Sequence, residues 1–187
     1  MKHLIIYSHL NPKSFTKAIV DKVEKVSKEK GDAVKIIDLY GDKFNPVLEF
    51  PDIQHQFMGG ECPADVKKYQ DMVAWTDHLT IVYPIWWTQM PAMLKGFFDR
   101  VFSNGFAYAY SEQGIPTGLL KGKTVKLYIC TGNPNEVYEQ MGMHSAQRKV
   151  NEEGIFGFSG MKAETVFFGN VAMGPDELRK GYLDSIK

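Results

Sequence analysis

The chain has 187 residues, a length typical of one compact domain, with 44% hydrophobic and 24% charged residues. Lys+Arg and Asp+Glu balance at 22 each, so no overall field would recruit nucleic acid or an anionic membrane. No stretch approaches the ~20 apolar residues needed to cross a bilayer, and the apolar run near the N-terminus is too short for a signal peptide. The two cysteines lie in neither a metal-ligand nor a redox spacing. We therefore expect a cytoplasmic protein with one domain, residues 1–187, and no metal site.

Short apolar runs alternate with amphipathic stretches along the chain, a pattern that predicts strands separated by helices. The predicted strands span residues 3–8, 33–39, 79–83, 124–130 and 164–168. The predicted helices span residues 15–30, 63–75, 90–102, 136–153 and 175–186, with a loop at the start of the fourth. Ser14 suits the N-cap of the first helix, and Gly31 suits its C-terminal end. Residues 40–60, which contain Pro46 and Pro51, are predicted to be irregular, and a loop of that length is often functional or has structure of its own.

The third predicted strand is continuously hydrophobic, which indicates burial on both faces, as in a parallel sheet covered by helices. Five strands with intervening helices predict a doubly wound α/β sheet. Ligands of such sheets bind outside the carboxyl ends of the strands, where the strand order reverses. We therefore expect the residues just after the first, third and fourth strands to carry the chemistry.

The segment after the first strand has the composition of an anion site. His9 and the hydroxyls of Ser14 and Thr16 lie beside the first turn of a predicted helix, whose free N–H groups and positive dipole end attract anions. The segment lacks the glycine fingerprint of a dinucleotide-binding turn and the lysine of a P-loop. A phosphate cradle and a plain N-cap beside a surface histidine are equally good interpretations.

Two adjacent tryptophans, Trp86 and Trp87, follow the third strand in the loop 84–89. Large aromatic side chains in exposed loops lower solubility unless a ring or a partner covers them. A planar cofactor or a dimer interface would account for both residues. Core packing would account for only one, because neighbours in a loop seldom point the same way.

The segment after the fourth strand combines a flexible turn with two polar aromatic side chains. Gly132 permits a close approach of backbone to a ligand, and Asn133 tolerates a left-handed conformation. Tyr138 and His144 are six residues apart, so loop geometry must bring them together. Such a pair could stabilise negative charge on a reduced ring, although a lone histidine is more often structural.

The longest distinctive pattern runs from Tyr83 to Tyr110 and includes Pro84-Ile85-Trp86-Trp87, the stretch Pro91 to Phe102 and the aromatic run Gly105 to Tyr110. A smaller pattern combines Asp38-Leu39-Tyr40 with Phe44-Asn45-Pro46. On these residues the chain resembles the flavodoxin-like NAD(P)H:quinone oxidoreductases, including short bacterial general stress proteins and ancillary oxidoreductase subunits of glutathione-gated potassium efflux systems. The resemblance covers most of the chain and implies a flavodoxin-like α/β fold, with five parallel strands in the order 2-1-3-4-5 and helices on both faces.

The resemblance also implies roles for individual residues. The cofactor-binding residues would be His9, Ser14, Phe15 and Thr16 at the phosphate, Pro84, Ile85, Trp86 and Trp87 along the flavin ring, and Thr131, Gly132 and Asn133 on the ring's other side. Tyr138 and His144 would be catalytic and would steady the negative charge of the reduced flavin. Tyr108 and Tyr110 would line a nicotinamide and quinone pocket across a dimer interface.

The implied reaction is a two-electron hydride transfer from NAD(P)H to a quinone-like acceptor, in a ping-pong cycle on one flavin. FMN is expected rather than FAD, because the chain lacks an obvious extension to wrap an adenine. The implied assembly is a homodimer. A flavin-binding regulatory subunit docked on a potassium efflux transporter is the alternative, because such proteins share these patterns. A one-electron flavodoxin carrier fits less well, because those proteins are usually strongly acidic and this chain has a net charge of zero.

Overall fold

The computed structural model describes residues 1–187. Its strands are β1 Lys2–Tyr7, β2 Ala33–Asp38, β3 His78–Pro84, β4 Tyr108–Tyr110, β5 Pro116–Gly118, β6 Thr124–Cys130 and β7 Lys162–Phe168. Its α-helices are α1 Phe15–Glu29, α2 Phe50–Phe57, α3 Ala64–Trp75, α4 Ala92–Val101, α5 Asn135–Gln140, α6 Met143–Arg148 and α7 Asp176–Asp184. A π-helical segment, Lys149–Gly157, continues α6.

Five strands form one parallel sheet in the order β2-β1-β3-β6-β7. Numbered within this sheet alone, the order is 2-1-3-4-5, which confirms the predicted fold class. The chain leaves β1 towards β2 on one side and continues from β3 towards β7 on the other. The change of direction therefore falls between β1 and β3, where ligands of such sheets bind.

Each face of the sheet is covered by helices and carries its own core. In β1, Leu4 and Ile6 point into the larger core, which also contains residues of α3 and α4. Ile5 and Tyr7 point to the opposite face, where they pack with residues of α1. Because successive side chains of a strand alternate between faces, a strand buried on both sides is apolar over most of its length, as β1 is from Leu4 to Tyr7 and β3 from Ile81 to Tyr83.

The prediction of an irregular segment over residues 40–60 is wrong for its second half, which forms α2. The helix begins with a capping arrangement in which the Asp52 carboxylate accepts the Glu49 N–H at 2.8 Å. Pro51 lies in the first turn, where a helix needs no N–H donor. The proline that suggested irregular structure therefore marks a helix start.

Residues 136–153 are mostly helical, as predicted, but they form two short helices and part of a π-helical segment. Gly142 adopts a left-handed conformation with φ of 71° and separates α5 from α6, and the π-helical segment then extends to Gly157. The antiparallel hairpin of β4 and β5 was not predicted. Its three-residue strands are too short to show the alternation by which strands are recognised.

A buried arginine ties α2, α3 and α4 together. Arg100, 4% exposed, donates to Asp52 Oδ2 at 2.9 Å, to Asp65 Oδ2 at 2.7 Å and to the carbonyl of Asn45 at 2.9 Å. Asp52 is 1% exposed, so this carboxylate depends on Arg100 for its counter-charge. The interaction fixes the long connection between β2 and α3 against α4.

A buried histidine lies at the opposite end of the sheet from the carboxyl edge. His3 Nδ1 lies 2.8 Å from Ser27 Oγ, and its Nε2 lies 2.9 Å from Thr80 Oγ1. The ring of His78 is 4.8 Å away between centroids. Burial, with a further contribution from the neighbouring His78, lowers the pKa of His3 to about 4.

The low pKa of His3 predicts a loss of stability in acid. Between its unfolded pKa of about 6.5 and its folded pKa of about 4, the unfolded chain binds the extra proton, so the free energy of unfolding falls as the pH falls. The full loss should be about 3 kcal/mol across this window. Urea denaturation at several pH values should show a flatter dependence for His3→Gln than for the wild type. Parallel profiles for the two proteins would contradict this prediction.

Candidate functional site

A cavity of about 420 Å³ opens at the carboxyl edge of the sheet, between the segments that follow β1, β3 and β6. Its lining includes all of the predicted cofactor-binding residues except Trp87 and Asn133, namely His9, Ser14, Phe15, Thr16, Pro84, Ile85, Trp86, Thr131 and Gly132. Residues from three separate loops therefore meet in one place, at the switch point of the strand order.

The end of the cavity beside α1 is built to attract an anion. Ser14 caps the helix by accepting the Lys17 N–H at 3.2 Å, and the N–H groups of Phe15 and Thr16 lie in the first turn, where no intrahelical acceptor exists. His9 Nδ1 accepts the Asn11 N–H at 3.0 Å, so in the neutral ring Nε2 carries the proton and is a donor. Burial lowers the pKa of His9 and so favours this neutral form.

The loop after β3 closes in a tight turn from Trp86 to Gln89, with both reciprocal backbone hydrogen bonds formed, at 3.0 and 3.1 Å. Trp86 lines the cavity, and its ring lies 5.9 Å from the His9 ring. Trp87, in the left-handed region with φ of 50°, is 98% exposed and does not line the cavity. Only one of the two tryptophans therefore borders the cavity in a single chain.

The turn after β6 is held against the end of β7. Thr131 N–H donates to the Phe168 carbonyl at 2.9 Å, and Asn170 N–H donates to the Asn133 carbonyl at 2.8 Å. A Cβ built on Gly132 would meet no atom within 4 Å, so this position is open towards the cavity that it lines. Asn133 is exposed and does not line the cavity.

Four further residues line the cavity and were not predicted: Asn11, Cys130, Val171 and Ala172. Val171 and Ala172 follow β7, and they could have been found by applying the carboxyl-edge rule to the fifth strand as well. Cys130 ends β6, and burial raises its pKa to about 12, so its thiol is unreactive at neutral pH.

The break at Gly142 brings Tyr138 and His144 together. Their ring centroids lie 5.9 Å apart, and both side chains are buried. The His144 ring stacks on Phe167 at 4.0 Å, and its Nδ1 lies 2.7 Å from Glu139 Oε2. Its Nε2 is buried without a hydrogen-bond partner. Neither Tyr138 nor His144 lines the cavity.

Tyr108 and Tyr110 lie on the hairpin strand β4 and not at the cavity. The Tyr108 ring packs against Phe158 at 4.9 Å and against Tyr110 at 5.7 Å. Tyr110 is 54% exposed. Within one chain the structure does not bring this pair to the other predicted site residues.

No helix of the structure is both long enough and apolar enough to span a membrane.

Three comparisons with known proteins agree with this architecture. A family model described as flavodoxin-like fold matches residues 1–185. An uncharacterized NAD(P)H oxidoreductase from Haemophilus influenzae is 37% identical over 186 residues, which cover 98% of this chain and 91% of the relative. The structure of an NAD(P)H:quinone oxidoreductase from Methanothermobacter marburgensis superposes with a TM-score of 0.90 at 26% identity, covering 100% of this chain and 93% of the other.

A more distant structure shares the fold alone. It is an FMN-dependent NADH-azoreductase from Bacillus anthracis in complex with FMN, with a TM-score of 0.72 at 18% identity, covering 100% of this chain and 96% of the other. The family match over nearly the full length and the closer relatives lead to one assignment. The chain belongs to the flavodoxin-like family of NAD(P)H:quinone oxidoreductases.

Proposed function

We propose that the protein is a single-domain flavoenzyme that transfers hydride from NAD(P)H to a quinone-like acceptor in a ping-pong cycle. The observation that carries the proposal is the cavity at the carboxyl edge, which collects residues from the loops after β1, β3 and β6. The proteins that resemble this chain include an NAD(P)H oxidoreductase and an NAD(P)H:quinone oxidoreductase. A flavin, when bound, supplies the hydride-accepting and hydride-donating chemistry that no amino-acid side chain provides.

The residues of the cavity fit a flavin. One end offers the free N–H groups of Phe15 and Thr16 and the His9 Nε2–H, which suit a phosphate. The other end offers the Trp86 side chain and the open position at Gly132, which suit a planar ring. We favour FMN, because the azoreductase of the same fold is in complex with FMN.

We assign Tyr138 and His144 to the stabilisation of charge. Glu139 accepts from His144 Nδ1 or pairs with it, and the stacked Phe167 fixes the ring, so Nε2 is held in one orientation. A buried ring nitrogen without a partner is costly unless a ligand or a neighbour satisfies it during function. In this arrangement the Tyr138 hydroxyl donates a hydrogen bond to the negative charge that develops on the ring. His144, whose ring centroid lies 5.9 Å from that of Tyr138, helps to stabilise the same charge.

A second copy of the chain would complete the acceptor pocket. Exposed apolar side chains include Trp87 at 98%, Phe57 at 59% and Met58 at 63%, and such side chains favour contact with a partner. In a homodimer, Tyr108 and Tyr110 of one copy would reach the cavity of the other and line the place where NAD(P)H and the quinone bind in turn. Sedimentation velocity tests the assembly, and a monomer at all concentrations would contradict it.

Replacement of Gly132 by alanine tests the flavin site. The protein should fold as before, because the added methyl meets no protein atom within 4 Å. FMN binding should weaken about tenfold, because the methyl occupies space needed by the ring. The measurement is a fluorescence titration of the flavin-free protein. Gly181→Ala is the matched control, since its Cβ is equally unobstructed but lies on α7. Equal FMN affinity in all three proteins would remove Gly132 from the site.

Docking on a potassium efflux transporter is the alternative role for the same flavin-binding chain. Two measurements separate the roles: quinone turnover by the purified protein with NADH or NADPH, and co-purification with an efflux protein. Turnover at ordinary enzyme rates without any partner supports the proposal above. Absence of turnover together with stable co-purification would favour the regulatory role.

A further inference from the structure

The turn that carries Trp86 is in an unfavourable backbone conformation. Its two central residues both have positive φ, 50° for Trp87 and 60° for Thr88. This is the geometry of a type I′ turn, which glycine, asparagine and aspartate adopt readily. A bulky or β-branched residue with positive φ is an outlier that persists only where the surrounding structure enforces it.

One side chain outside the turn enforces it. Gln147 on α6 donates through Nε2 to the carbonyl of Thr88, and Gln147 is only 5% exposed. Gln147 is itself fixed by Asn151, whose Nδ2 donates to the Gln147 backbone carbonyl at 2.8 Å and to its Oε1 at 3.1 Å. Asn151 is 1% exposed. The turn is therefore held by a buried pair of amides and not by its own residues alone.

The same helix face connects the turn to His144. Residues 144, 147 and 151 are spaced three and four apart, so their side chains lie on one face of the helix. Asn151 lies in the π-helical segment, a distortion often found at functional sites.

We propose that Gln147, fixed by Asn151, is a positioning residue that holds the Trp87–Thr88 turn in its left-handed conformation. The pair thereby holds Trp86 at the cavity before any cofactor binds, and it fixes the position of Trp86 relative to His144. The expected change in FMN affinity rests on the proposed function. The expected change in the conformation of the turn does not, because it can be measured in the flavin-free chain.

Gln147→Met keeps the side-chain volume and removes the donor. If the turn then adopts the required conformation in about one molecule in ten, the FMN dissociation constant should rise about tenfold. In the flavin-free protein, hydrogen exchange of the Trp86 and Gln89 amides should accelerate, because their reciprocal hydrogen bonds form only in that turn. Gln140→Met is the matched control, since Gln140 is exposed on α5 and makes no side-chain hydrogen bond in the structure.

Glycine at position 88 distinguishes positioning from mere packing. Thr88→Gly supplies a residue that adopts positive φ freely, so adding Gln147→Met to it should change FMN affinity less than twofold. Should Gln147→Met fail to fold, Gln147→Glu replaces it, because a carboxylate keeps the acceptor for Asn151 and loses the donor to Thr88.

The outcomes test separately the role of Gln147 in the turn and its effect on flavin binding. Unchanged amide exchange in flavin-free Gln147→Met overturns the positioning role, whatever the flavin does. A loss of FMN affinity from Gln147→Met that is equally large with and without the Thr88→Gly substitution also overturns it. Faster exchange in a protein that binds no FMN even as wild type supports the role in the turn and overturns the proposed function.

Discussion

Arg100→Met should lower the free energy of unfolding by about 3–5 kcal/mol, because it leaves the Asp52 carboxylate buried without a counter-charge. The loss arises from Asp52 more than from Asp65, which is 51% exposed and can be solvated by water. Urea denaturation followed by circular dichroism measures the loss. A change below about 1 kcal/mol would show that the buried carboxylate is neutral or hydrated in the native protein.

Two further variants identify the cause. Lys95→Met removes an exposed ion pair with Asp99 from the same helix and should cost less than about 1 kcal/mol. Adding Asp52→Asn to Arg100→Met should recover part of the loss, because an amide is less costly to bury than an unpaired charge. A double variant as unstable as the single one would assign the loss to the arginine's other contacts.

Tyr138→Phe should slow flavin reduction by NAD(P)H by a factor of about 10²–10³, the usual effect of removing one hydrogen bond to developing charge. FMN affinity should stay close to that of the wild type, because a hydrogen bond to the oxidised ring is weak and strengthens only as negative charge develops on it. Stopped-flow absorbance of the bound flavin measures the rate, and a fluorescence titration measures the affinity.

Tyr69→Phe is the matched control for this prediction. Tyr69 is buried in the larger core, does not line the cavity, and its hydroxyl makes only a 3.4 Å hydrogen bond with Asp42. NAD(P)H should reduce the flavin of the Tyr69→Phe protein at the wild-type rate. If the flavin of the Tyr138→Phe protein is also reduced at that rate, the assigned role is refuted. If the Tyr138→Phe protein instead loses FMN, Tyr138 is a binding residue.

The strands could be predicted because they are short apolar runs bounded by polar segments, whereas their order was implied only by the resemblance to the flavodoxin-like oxidoreductases. The location of the cavity followed from the same pattern, since the residues after β1, β3 and β6 meet wherever such a sheet is formed. Helix α2 was missed because Pro51 has two opposite meanings, helix breaker and first-turn residue, and only the Asp52 cap decides between them.

Other features depend on tertiary contacts that no local pattern records. Gln147 is an ordinary polar residue of a predicted helix, and its importance appears only when α6 lies against the Trp86–Gln89 turn. The break at Gly142 depends on one left-handed glycine, which sets the approach of Tyr138 to His144. The separation of Trp86 from Trp87 likewise follows from the turn's backbone and not from the identity of either residue.

That separation gives the molecule an optical property. Of its three tryptophans, Trp87 is almost wholly surrounded by water, whereas Trp75 is half-buried and lies 4.2 Å from the Lys35 ammonium. The most red-shifted and most easily quenched emission should therefore come from Trp87, because Trp86, which lines the cavity, is only 38% exposed. A surface that covers Trp87, whether a second copy or another protein, should shift that emission towards the blue without a label.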